Sequence, residues 1–94
     1  MPKVCYIKCH VGRGMFSDEL TVHIQSLNAA GQLTTVSSIV PKDSVELEDG
    51  KSDQGRLRAY CMREGEGVTS VVLRQATLEN GPSLVIPSGE VVRP

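Results

Sequence analysis

The sequence predicts an all-β fold, a small single-domain barrel or roll of about six short strands, for which an SH3-like architecture is one arrangement. Three observations predict it. Apolar and polar residues alternate with period two in several short runs, and glycine- or proline-marked turns separate those runs. Aromatics are scarce, with Tyr6, Phe16, Tyr60 and no Trp, so a core must be built from branched aliphatics. The 94 residues bound the chain to one β-rich domain over 1–94. A chain of this size buries only roughly 60–65% of the surface its unfolded form exposes, enough for one modest core.

The elements follow in order. Over residues 4–11, Cys5, Ile7, Cys9 and Val11 alternate with Val4, Tyr6, Lys8 and His10, a strand pattern that Gly12-Arg13-Gly14 ends. Leu20, Val22 and Ile24 mark a second strand, and Asn28-Ala29-Ala30-Gly31 a turn. A helix near residues 18–30 competes for this stretch. Ser17-Asp18-Glu19 would cap it, Leu20, Ile24 and Leu27 would share its face, and Gly31 would stop it, making the class α+β. The branching of Thr21, Val22 and Ile24 favours the strand.

Gln32 to Val40 forms a third run, closed by Pro41, which offers no donor to a sheet ladder. A turn over 41–44 leads into Val45-Glu46-Leu47-Glu48. From Arg56 to Arg63, Leu57, Ala59 and Cys61 oppose Arg58, Tyr60 and Met62. Gly65-Glu66-Gly67 then turns the chain into Val68–Leu73, and Asn80-Gly81-Pro82 into Leu84–Pro87, with a last piece at Val91-Val92. Ile39-Val40-Pro41-Lys42-Asp43-Ser44-Val45 echoes Val85-Ile86-Pro87-Ser88-Gly89-Glu90-Val91. Two similar barrel corners produce such an echo from shared geometry, a simpler origin than duplication.

Charge excludes some function classes. The net charge is −1, which argues against non-specific, charge-driven nucleic-acid binding. No apolar run approaches the roughly 20 residues that cross a bilayer, and no membrane association is expected. The sum conceals a segregation, however. Residues 43–53 carry Asp43, Glu46, Glu48, Asp49 and Asp53 against Lys51 alone, and glycines mark them as a solvated loop without the terminal glutamate of a calcium loop. Arg56, Arg58 and Tyr60 share one strand face, and Tyr6, Lys8 and His10 share another. These six are the candidate binding residues. A basic face carrying aromatics suits a protein or peptide partner, and equally single-stranded nucleic acid, with bases on the rings and phosphates on the cations.

Catalytic and metal readings are weaker. Cys5, Cys9 and His10, with Cys61 and His23, suggest half a zinc site, but the Cys-x-x-x-Cys spacing lies within a strand. There the two thiols would stand about 13 Å apart, with His10 on the opposite face. No nucleophile turn or phosphate-cradling glycine pattern is present. The expectation is a non-enzymatic domain with no catalytic residues, metal or cofactor. Three cysteines fit poorly with a disulfide framework and read as small buried apolar residues of a reducing compartment. Met1-Pro2-Lys3-Val4-Cys5 shows no apolar signal segment, and a cytoplasmic protein is expected. The C-terminal strands offer edges through which copies of the chain would pair into a homo-oligomer.

Overall fold

The computed structural model describes residues 3–93, and the Met1-Pro2 segment invoked above lies outside them. The fold is all-β, as the alternation predicts. Its strands are β1 (Lys3–Arg13), β2 (Glu19–Leu27), β3 (Leu33–Pro41), β4 (Val45–Leu47), β5 (Gln54–Gly65), β6 (Val68–Thr77), β7 (Gly81–Pro87) and β8 (Val91–Val92). Six of them form one antiparallel sheet in the order β3-β2-β1-β5-β6-β7, while β4 pairs with β5 and β8 with β1. The sheet curls into a half-barrel. Ser26 Oγ of β2 donates to the Val85 carbonyl of β7, and Ser38 Oγ of β3 to the Ala76 carbonyl of β6, tying the two ends across the core.

The competing helix over 18–30 does not form. Val22, Ile24 and Ser26 are buried and Thr21, His23 and Gln25 are not, the period-two pattern of a strand buried on one face. Leu20 and Ile24 therefore share a face through alternation rather than helical spacing. Inside the curl lie Ile7, Val22, Ile24, Val36, Leu57, Val71, Leu73 and Ile86, with no aromatic ring among the buried side chains.

The two halves of the chain repeat one plan. β1 to β4 and β5 to β8 each run as three strands, a 3-10 turn and a short strand. The halves meet at the β1–β5 ladder around Ile7 and Leu57, which stand opposite each other. Each short strand adds to the far half, β4 beside Leu57 and β8 beside Ile7. Both corners use the same hydrogen bond: Lys42 N donates to the Asp18 carbonyl at 3.0 Å, and Ser88 N to the Gly67 carbonyl at 2.9 Å. In each, a proline precedes the 3-10 turn with φ of −61° or −56°. The sequence echo at the two prolines thus lies within a pseudo-two-fold repeat of the strand order across the described residues.

The cysteine reading needs correction. Cys5 and Cys61 form a disulfide across the β1–β5 ladder, with Cα atoms 5.9 Å apart. Cys5 stands opposite Ala59 and Cys61 opposite Lys3, so the two are diagonal neighbours on the inner face. The odd count is met by Cys9, which stays free and buried. A disulfide is typical of oxidising compartments, so the count lends no support to a cytoplasmic location. The bond ties residues 56 apart in sequence. Closing a loop of that length stabilises the fold by about 4 kcal/mol in the chain-entropy account. We predict that replacing both Cys5 and Cys61 with Ala lowers the unfolding free energy by about 2–4 kcal/mol in urea titrations. Reductant should lower the wild-type midpoint towards that of the variant and leave the variant unmoved.

Candidate interaction face

All six candidate residues lie on the outer face of β1 and β5, on positions alternating with the buried Cys5, Ile7, Cys9, Leu57, Ala59 and Cys61. The register determines their neighbours. Tyr6 stands opposite Arg58 and Lys8 opposite Arg56, with His10 beyond them opposite Gln54 and Tyr60 at the far end opposite Val4. Two faces read separately from the sequence are therefore one continuous face, drawn from both halves of the molecule.

Charge is concentrated at its centre. Lys8, Arg56 and Arg58 are exposed and adjacent. Glu46 of β4 flanks Arg56 on its other side. Yet the ion pairs among the described residues are Lys51 with Glu48, at 3.7 Å, and Arg93 with Glu64, and neither involves these three cations. Like charges directly opposite each other destabilise a strand pair, by roughly 0.2–1 kcal/mol. The Arg56 guanidinium lies over the Tyr6 ring, 5.8 Å from its centroid, a cation–π contact that holds both side chains. Tyr6 is half-buried beside Val92 of β8, and Tyr60 half-buried between Val4 and Val72.

At the His10 end the face opens into a groove of about 790 Å³. Its position follows from the strand pairing. β2 pairs with β1 at residues 10–13 and β8 at residues 6–7, so Lys8 and Cys9 lie where the two neighbours part. Part of the acidic loop, Glu48 and Asp49, lines this groove with Lys8 and Arg56. The loop therefore borders the basic face at one end, and Arg58 remains exposed.

His23, named beside His10 in the zinc reading but not among the six binding candidates, joins this face. His23 of β2 stands directly opposite His10 on this face, and its Nδ1 hydrogen-bonds Ser37 Oγ at 2.8 Å. The signal was present in the hairpin: His10 and His23 are equally distant from the turn between Phe16 and Ser17. No protein-family model matches the chain, no curated protein matches it in sequence, and no solved structure matches its fold.

The cysteines and histidines take opposite sides of β1, so the mixed zinc set does not assemble. Burial pushes the Cys9 thiol up to about 11, because the apolar interior penalises the thiolate. The thiol is thus protonated and shielded at neutral pH. Since the folded value lies above the ordinary one, the contribution to stability is complete at neutral pH and lost as pH rises through 9 towards 11. We predict that stability falls more steeply over this interval in the wild type than in Cys9→Ala, measured by urea titration at each pH. Aromatic disulfide reagents should modify Cys9 only after unfolding.

Proposed function

We propose that the protein is a small non-enzymatic β-barrel module that binds an acidic protein or peptide segment on the outer face of β1 and β5. One observation carries it. Among the described residues, Lys8, Arg56 and Arg58 sit side by side on the outer face without an ion-pair partner. An anionic partner would neutralise them.

The state of the aromatics favours a protein over single-stranded nucleic acid. Stacking requires an open ring face, and Arg56 already covers Tyr6 while Tyr60 is half-buried against valines. The cysteine chemistry supports a non-enzymatic reading, with two thiols consumed in the disulfide and the third buried. Val91-Val92 uses one edge to pair with β1 of its own chain, which leaves its other edge for the alternative of pairing between copies.

The test compares poly-L-glutamate with a single-stranded oligothymidylate as probes. Saturable, salt-sensitive binding of poly-L-glutamate is expected, weakened at least tenfold in Lys8→Glu/Arg58→Glu. Preference for the oligothymidylate, or no binding of either probe by the wild type, overturns the proposal. A companion measurement concerns the cost of the face. Lys8→Gln should raise the unfolding free energy by about 0.2–1 kcal/mol, since it relieves repulsion from Arg56.

A further inference from the structure

We infer that His10 and His23 form a bidentate chelating site for a divalent transition metal ion of the zinc, nickel or copper class. The two residues are direct cross-strand partners on the outer face, and both are exposed. Side chains in that relation have Cβ atoms about 4.5–5.5 Å apart, close enough for two imidazole nitrogens to meet one ion at about 2.0–2.1 Å each. Among the described residues no three His, Cys, Asp or Glu side chains gather as a metal site, so the pair acts alone. Two imidazoles leave the remaining coordination positions to water. Imidazole selects zinc, nickel and copper over calcium and magnesium, which prefer oxygen.

Three further observations support the site. First, the His23 ring is already oriented: its Nδ1 is engaged by Ser37 Oγ, which leaves Nε2 as the ligating atom. Metal-binding histidines are held in this way through their second nitrogen. Second, the pair borders the groove, whose charged lining is balanced, with Lys8, Lys51 and Arg56 against Glu48, Asp49 and Glu90. A cation therefore meets no net repulsion there, unlike at the centre of the basic face. Third, the fold does not require histidines at these places. The pseudo-two-fold relates His10 and His23 to Tyr60 and Val72, which are likewise direct cross-strand partners. The same backbone thus carries an apolar pair in one half and two ligands in the other.

The experiment titrates the folded protein with Zn²⁺ and Ni²⁺ in a non-coordinating buffer, read by calorimetry and by the imidazole resonances in NMR. One equivalent should bind with micromolar affinity and perturb both histidines together. His10→Ala and His23→Ala should each weaken binding at least tenfold, and the double variant should abolish it. Cys9→Ser should bind as the wild type does, because the thiol faces inward. Circular dichroism would verify that the surface variants remain folded. Absence of binding at millimolar metal overturns the inference, as does binding that survives loss of both histidines.

Discussion

The antiparallel pairing of β1 with β5 around Ile7 and Leu57 is the constraint on which the rest of the molecule depends. Within each half, hairpins are local and inexpensive to close. Asn28 Oδ1 accepts from the N–H groups of Ala30 and Gln32, setting the β2–β3 turn, and Thr77 holds the β6–β7 turn through Gly81 and Asn80. The central ladder is different, because it joins segments separated by half the chain and must overcome the entropy of that closure. The Cys5–Cys61 bond falls on this ladder, where a covalent tie offsets part of that closure entropy by constraining the unfolded chain. Its pseudo-symmetric counterpart involves no cysteine. Gly55 occupies the place related to Cys5, and a Cβ there would come within 2.6 Å of the Glu46 carbonyl. One arm of the seam is thus bonded, and the other is held by close backbone approach of β4.

Most of the fold is legible in the sequence because its core depends on period-two alternation. Cys5-Ile7-Cys9-Val11, Val22-Ile24 and Leu57-Ala59-Cys61 all point inward as the pattern requires. Long-range pairing left weaker marks. Nothing local to Cys5 identifies Cys61 as its partner, since their proximity follows from the register between the halves. The pseudo-two-fold was visible only at its two proline corners, where proline and a re-entrant valine have few substitutes. Elsewhere any branched aliphatic satisfies the inner face, so the repeat shows in strand order and pairing rather than in matching side chains. The competition at residues 18–30 arose because Leu20 and Ile24 satisfy both periods, and burial of Val22 and Ser26 decides it.

The candidate face was legible residue by residue but not as a unit. Parity along each strand placed Tyr6, Lys8 and His10 together, and Arg56, Arg58 and Tyr60 together. Only the β1–β5 register merges the two sets and sets Lys8 against Arg56. Such a face carries information that composition suppresses. A chain with a net charge of −1 concentrates three cations on neighbouring positions while placing its acidic loop at one margin. Repulsion within the cluster is tolerated because the ladder beneath is stabilised from the other side, by the core and the disulfide.

The pseudo-two-fold also shows where the side chains of this face depart from the symmetry of the backbone. Tyr6 and Arg56 occupy related places, as do Lys8 and Arg58, and the symmetry axis passes between them. In a symmetric arrangement these places would hold identical residues, two tyrosines or two arginines. Neither supplies the ring-and-guanidinium contact observed here. The two halves instead carry a complementary pair at these places, and at the next related places a histidine in one half and a tyrosine in the other. Because each residue of the face comes from a strand that also forms the seam, the face exists only when the halves are joined. The disulfide stands on the inner side of the same two strands, so the bond that fixes their register also fixes the spacing of the cations outside.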